Sequence, residues 1–175
     1  LSVRNECKEL LFVVEREADG REPLVRCINF GLDGMQSFSF TLEEERSAVL
    51  VPAGQVGTYL YEPNASVLKA GAFKQIAVRT GVKKLQVNSH LYTSDHLVSD
   101  FPGRRFRVDE VLSFTGKLCK GLSKTIPQAN ITVRNFPLSV EELRKRTKIT
   151  DGGHVYLFAT TLVDGEKVLV KCSKA

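Results

Sequence analysis

Ser66 and Lys69 have the spacing of the Ser-x-x-Lys pair with which some serine acyl-transfer enzymes activate a hydroxyl nucleophile. Residues 94–95 and 124–125 resemble the two partner motifs of those enzymes, but each departs from its motif at the third position. The alternative is a lysine whose stem crosses an apolar helix face while its amine reaches solvent. The departures favour this structural interpretation over a freestanding enzyme that uses Ser66, Lys69 or His90.

A second candidate group consists of residues 88–90 and 94–96, which place two imidazoles, two hydroxyl-bearing side chains and a carboxylate within nine residues. Such groups could serve nucleophilic or metal chemistry. A triad built from neighbours in sequence is geometrically unfavourable, however, and a metal site would need more ligands. We therefore expect loop hydrogen bonding here, and we expect no catalytic, cofactor or metal residue in this chain.

Basic side chains form the third candidate group, because positive charge is concentrated in the last two-thirds of the chain. Residues 1–57 hold 6 Lys or Arg against 10 Asp or Glu, whereas residues 58–175 hold 19 against 10. Lys117, Lys120 and Lys124 follow i, i+3, i+7 spacing on a predicted helix, and such a stripe can neutralise phosphates through counterion release. The alternative is a solvated surface.

The bulk composition is that of a globular protein that builds its own core. The chain has 175 residues, of which 42% are hydrophobic and 26% charged, and it fits one domain or two small ones. The four cysteines are far apart and spell no zinc or thioredoxin motif, which favours buried thiols in a reducing compartment. No apolar run approaches a membrane span, so we expect a cytoplasmic protein that contacts no membrane. A first residue other than Met favours a fragment of something longer.

The N-terminal part is predicted to be mostly strands. Apolar runs at 10–14 and 24–30 flank turn-forming residues 17–23 and predict a hairpin, and residues 38–40 alternate as a further short strand. A loop at 52–57 suggests a domain boundary near residue 57. Asn64 is a favourable N-cap for a single buried helix over 65–80, which ends at Gly81.

The C-terminal part alternates strands and helices in the order β-α-β-α-β-β. The predicted elements are a strand at 105–112, helices at about 115–125 and 139–147, a strand at 130–135, and a hairpin of strands 154–162 and 167–172. Ser139 and Glu142 have the spacing of a capping box. The pattern indicates a small independent α+β module.

Five segments resemble one protein family. They are Tyr61-Glu-Pro-Asn-Ala-Ser66, Asn88-Ser-His-Leu-Tyr-Thr-Ser94, Phe101-Pro-Gly-Arg104, Ala129-Asn-Ile-Thr-Val-Arg-Asn-Phe-Pro137 and Tyr156-Leu-Phe-Ala-Thr-Thr161. Together they resemble the C-terminal part of bacterial class I S-adenosylmethionine-dependent methyltransferases that end in a THUMP-like domain.

The resemblance implies an α+β fold in three parts. Residues 1–57 would be terminal strands, a β-hairpin remnant of an upstream Rossmann-type catalytic domain. Residues 58–108 would form a ferredoxin-like segment. Residues 109–175 would form a THUMP-like RNA-binding module. The cofactor-binding loop and the substrate-amine motif of the family would lie before Leu1. S-adenosylmethionine is therefore expected for the full-length protein and no cofactor for this chain.

Two hypotheses of different class follow. The first is a substrate-recognition region that binds RNA, with a linked methyltransferase domain as its partner in the same polypeptide. The second is a docking module that packs on the catalytic domain or mediates dimerisation without binding nucleic acid; the oligomeric state stays open. For the first hypothesis the candidate contacts are Lys69, Arg104, Arg105, Lys117, Lys120, Lys124, Arg134, Arg144, Lys145 and Arg146.

Overall fold

The chain folds into two compact units with mixed α and β structure. The computed structural model describes residues 1–16, 20–32 and 34–175. The first unit contains Leu1–Leu50, Glu62–Val82 and Val98–Arg104, and the second contains Val51–Tyr61, Lys83–Leu97 and Arg105–Ala175. The predicted limits at 57/58 and 108/109 stay predictions.

A four-stranded sheet forms the first unit. Its strands are β1 (Ser2–Val3), β2 (Glu6–Cys7), β3 (Leu24–Gly31) and β4 (Gly34–Thr41), in the order β2-β1-β3-β4. The β3 and β4 strands are antiparallel along their full length, from Leu24 opposite Thr41 to Gly31 opposite Gly34. Cys27, Phe38 and Phe40 are buried in these strands, and aromatic residues such as the two phenylalanines favour strands.

The predicted hairpin between residues 10–14 and 24–30 is wrong, because β3 pairs with β4 instead. Residues 10–14 form no strand and are exposed. The two β3–β4 strands are close in sequence, so their pairing closes a shorter loop than the predicted one. Residues 17–19 of the predicted turn lie outside the described residues. The predicted strand at 38–40 is confirmed as part of β4.

Three short helices complete the first unit: α1 (Leu42–Ser47), α2 (Ala65–Ala70) and α3 (Gln75–Thr80). The single helix predicted over 65–80 is wrong, since Gly71 adopts a left-handed conformation with φ 78° and ends α2. The predicted caps are confirmed: the Asn64 side chain accepts from the Val67 N–H, and Gly81 ends α3. The α1 helix, which the sequence did not predict, begins with a capping box of Thr41 and Glu44.

A seven-stranded sheet dominates the second unit. Its order is β6-β7-β5-β8-β11-β10-β9, in which β9 lies parallel to β10 and forms one edge. The strands are β5 (Tyr59–Pro63), β6 (Lys83–Lys84), β7 (Tyr92–Ser94), β8 (Gly103–Ser113), β9 (Asn130–Arg134), β10 (Tyr156–Thr161) and β11 (Lys167–Lys174). The helices α4 (Gly116–Thr125) and α5 (Val140–Thr147) lie between these strands in sequence. The predicted order β-α-β-α-β-β is confirmed.

Both faces of the sheet are buried at β10 and β11, because successive residues of a strand point to opposite sides. In β10, Leu157 packs with Leu122 of α4 and Leu143 of α5, so these helices cover one face. Phe158 joins the other core, which includes Phe106 of β8. Their rings meet edge to face with centroids 4.9 Å apart. The central strands thereby fix where α4 and α5 stand.

The cysteines are free thiols in different environments. Cys27, Cys119 and Cys172 are buried, as predicted, but Cys7 is exposed. Burial raises the pKa of the Cys27 thiol to about 11 and that of Cys172 to about 12. None of the described helices combines the length and the apolar character that crossing a bilayer requires.

Candidate nucleic-acid interface

The α4 helix presents three lysines to solvent because its other side is anchored in the core. Thr115 caps the helix by accepting a hydrogen bond from the Leu118 N–H at 3.1 Å. Cys119 and Leu122 are buried on the inner side. The predicted stripe is confirmed as exposed, and it consists of Lys117, Lys120 and Lys124.

The α5 helix adds two exposed cations in its last turn. Its N-terminus is the predicted capping box: Ser139 Oγ accepts from the Glu142 N–H at 3.2 Å, and the Glu142 carboxylate accepts from the Ser139 N–H at 2.8 Å. Leu143 is buried against the sheet. Lys145 and Arg146 therefore lie on the outside of the helix.

One cavity brings cations of the two helices together. It has a volume of about 230 Å³ and is lined by Phe114, Gly116, Cys119, Lys120 and Arg146. Burial raises the pKa of the Cys119 thiol, and the nearby Arg146 charge opposes that rise. Lys120 of α4 and Arg146 of α5 thus line the same concave surface.

Within the described residues, the exposed cations of α4 and α5 are not held by side-chain hydrogen bonds or ion pairs. Among the described residues, Lys117, Lys120, Lys124, Lys145 and Arg146 make no side-chain hydrogen bond or ion pair, and we call these five residues the basic surface. The sequence contains no Asp or Glu between residues 111 and 140. Lys117, Lys120, Lys124 and Arg146 therefore keep their charge available for an anionic ligand. The charge of Lys145 interacts in part with the Glu141 carboxylate, which lies one helical turn before it on α5.

Two of the predicted arginines are engaged in the fold. Arg144 donates to the Ala129 carbonyl at 3.2 Å and to the Ile149 carbonyl at 3.3 Å, and it pairs with Asp151. Arg104 donates from Nε to Oε2 of Glu62 at 2.9 Å. Both guanidinium groups therefore already donate hydrogen bonds to protein oxygens.

The remaining predicted residues lie elsewhere. Lys69 is exposed in the last turn of α2, in the first unit. Arg105 is half-buried in β8, and Arg134 is half-buried in the edge strand β9. The pKa of His90 is lowered to about 4, mainly by burial and in addition by the charges of Lys84 and Arg134.

The groups that resemble catalytic motifs are occupied by local hydrogen bonds. Ser66 is buried, and its hydroxyl donates to Asn64 Oδ1 at 2.7 Å within the cap of α2. The Ser94 hydroxyl donates to the His96 carbonyl. In the part of the chain that the structure describes, no three His, Cys, Asp or Glu side chains are arranged to hold a metal ion.

Sequence reasoning missed Phe114 as a site residue. Phe114 is half-buried at the junction of β8 and α4 and packs edge to face on Phe136 with ring centroids 4.9 Å apart. Its position before the Thr115 cap was the available signal, since a residue preceding an N-cap often packs against the new helix. Its place in the wall of the cavity depends on the packing of α4 against α5.

A second exposed feature is apolar. Residues 10–14 are five consecutive large hydrophobic residues whose side chains are 67% to 90% exposed. Scattered exposed hydrophobic residues are common, but a contiguous run of this kind is typical of an interaction segment.

Two family models match adjoining parts of the chain. Residues 59–102 match a ferredoxin-like domain, and residues 103–174 match a THUMP domain-like family. Among curated proteins, no sequence matches this chain.

A solved structure is similar over most of the chain. It is the crystal structure of a "putative methyltransferase" from Porphyromonas gingivalis W83, with 48% sequence identity and a TM-score of 0.83. The match covers 87% of this chain but 38% of that protein. The chain described here therefore contains a ferredoxin-like domain and a THUMP-like domain, and is similar to part of a longer protein described as a methyltransferase.

Proposed function

We propose that this chain is the RNA-recognition part of a class I S-adenosylmethionine-dependent methyltransferase, and that the basic surface binds backbone phosphates. The observation that carries the proposal is the meeting of unpaired cations from α4 and α5 around one cavity. The THUMP-like match favours RNA as the polyanion, and the methyltransferase neighbour favours a linked catalytic domain.

Phosphate binding by this surface would be electrostatic and insensitive to sequence. Lysine ammonium groups on flexible stems act as point charges, whereas the planar guanidinium of Arg146 can hold two phosphate oxygens at once. Each contact releases condensed counterions, which makes affinity fall with salt. The five residues of the basic surface are the leading contacts, with Lys69, Arg105 and Arg134 as further candidates.

The test is the salt dependence of RNA affinity for the 175-residue chain and for the triple variant K117Q/K120Q/K124Q. Between about 50 and 200 mM salt we expect the wild-type chain to lose one or more orders of magnitude in affinity. Removing three contacts should lower the slope of log K against log salt by about 2 to 3.

A matched control keeps the change in net charge constant. Lys8, Lys83 and Lys174 are exposed lysines outside the predicted set, and the triple variant K8Q/K83Q/K174Q should leave the slope near the wild-type value. Equal effects of the two triple variants, or an affinity that does not respond to salt, would refute binding by α4.

Methyl transfer itself is assigned to the part of the longer protein outside this chain. The cavity beside α4 does not fit S-adenosylmethionine, because Lys120 and Arg146 in its wall would repel the sulfonium charge of that cofactor. The test compares the full-length protein with and without residues 58–175 for methylation of total RNA, for RNA binding and for cofactor binding. Removal of residues 58–175 should abolish RNA binding and leave cofactor binding intact.

A second candidate function, docking on the catalytic domain, is favoured by the exposed run at 10–14. Burial of five large apolar side chains would stabilise such a contact strongly. We expect the amide hydrogens of residues 10–14 to exchange more slowly in the full-length protein than in the 175-residue chain. Equal exchange rates in the two proteins would remove this candidate.

A further inference from the structure

We propose that the cavity beside α4 binds one unpaired nucleotide of the RNA, with its phosphate against Lys120 and Arg146 and its base against Phe114. This inference rests on the proposed function and extends it from the backbone to a particular structural feature of the ligand. It assigns a role to the concave part of the basic surface that phosphate binding alone does not require.

The lining of the cavity combines the two chemistries of a nucleotide. Lys120 and Arg146 supply two cations from two helices, while Phe114 and the buried Cys119 supply apolar wall. No carboxylate lines the cavity. The raised pKa of Cys119 keeps its thiol neutral near pH 7, so the wall does not repel a phosphate.

The size of the cavity selects an unpaired nucleotide over a duplex. Its volume of about 230 Å³ is far too small for a duplex. The bases of a paired helix are stacked and cannot enter a recess of this kind, whereas an unpaired base can be splayed out and placed on an aromatic ring.

The position of Phe114 is fixed before any ligand arrives. Its backbone N–H donates to the Lys167 carbonyl at 2.7 Å, which ties the end of β8 to the start of β11. Its ring packs on Phe136 from the edge. A ring held in this way loses little conformational freedom on binding, which favours its use as a stacking surface.

Two glycines of α4 provide a charge-neutral test. A Cβ at Gly116 or at Gly121 would meet no atom within 4 Å, and neither residue has a positive φ. Gly116 lines the cavity and Gly121 does not. The G116L variant therefore obstructs the cavity, and G121L is its matched control on the same helix.

The experiment measures the affinity of the 175-residue chain for two RNA hairpins that differ only in one unpaired nucleotide. We expect the wild-type chain and G121L to prefer the hairpin with the unpaired nucleotide by about fivefold to a hundredfold, the range for stacking of one base. The G116L variant should lose that preference and bind the fully paired hairpin as the wild type does. The F114L variant, which keeps an apolar side chain without a ring, should also lose the preference.

The outcomes separate this inference from the proposed function. Salt-dependent binding of both hairpins with no preference in the wild type, or equal preferences in G116L and G121L, overturns the nucleotide site and leaves phosphate binding standing. Absence of salt-dependent binding to either hairpin overturns both.

Discussion

Replacing Arg104 with Gln should destabilise the first unit without weakening RNA binding. Arg104 was a candidate RNA contact by sequence, but its guanidinium pairs with Glu62 through Nε and Nη2. The Glu62 side chain is 2% exposed and that of Arg104 is 42% exposed. The substitution would therefore leave a carboxylate buried beside a shorter, uncharged partner.

The expected loss is about 3 kcal/mol in the free energy of unfolding. Removal of one member of a buried ion pair costs about 3 to 5 kcal/mol, because the remaining charge stays desolvated. The partial exposure of Arg104 places the effect at the lower end of that range. The E62Q/R104Q double variant should be less destabilised than the sum of the two single variants, by about 0.5 to 3 kcal/mol.

Urea unfolding of the wild type, E62Q, R104Q and E62Q/R104Q measures the effect. The R107Q variant is the matched control. Arg107 is an exposed residue of the same strand, so its replacement should change stability by less than about 0.5 kcal/mol. The salt slope of RNA affinity should be the same for wild type and R104Q. A stable R104Q variant with a reduced salt slope would refute the assignment of Arg104 to the fold and return it to the RNA contacts.

Two further predictions concern stability. A Cβ at Gly103 would overlap the Glu62 carbonyl oxygen, so G103A should lower the free energy of unfolding by about 1 to 3 kcal/mol. A Cβ at Gly121 meets open space, so G121A should not lower it. Equal urea midpoints for the two variants would contradict this prediction. The pKa of His90 falls to about 4 from an ordinary value of 6.5, so the unfolded chain takes up a proton first and stability should decrease as pH falls from about 6.5 to about 4. Urea midpoints across that range should change less in H90N, which keeps a residue tolerant of the local φ of 51°, and an unchanged pH dependence in this variant would show that another group is responsible.

The predicted helix caps and tight turn are correct, because the groups that form them are neighbours in the sequence. The Ser139 capping box and the Asn64 cap each join atoms within three residues of the chain, so residue type and spacing suffice to predict them. The hairpin that turns at residues 164–165 is of the same kind, since its register follows from the turn.

Predictions failed where distant segments compete or where a single glycine changes the backbone. The apolar run at 10–14 satisfies the pattern of a strand next to β3, but β4 occupies that edge. The run at 65–80 satisfies the pattern of one helix, but Gly71 takes a left-handed conformation and divides it. A hydrophobic pattern indicates which residues can be buried, but it does not indicate which segment they pack against.

For the candidate site, the sequence by itself determined that the C-terminal part is basic and that three lysines share the outer face of one helix, because charge and helical period are properties of the chain. Only the tertiary structure decided which cations remain available. It pairs Arg104 with Glu62 and Arg144 with Asp151, and it brings Lys120 and Arg146 to one cavity with Phe114. The reason is that ion pairs and cavities join side chains from separate elements, whose positions are set by the packing of α4 and α5 on the sheet.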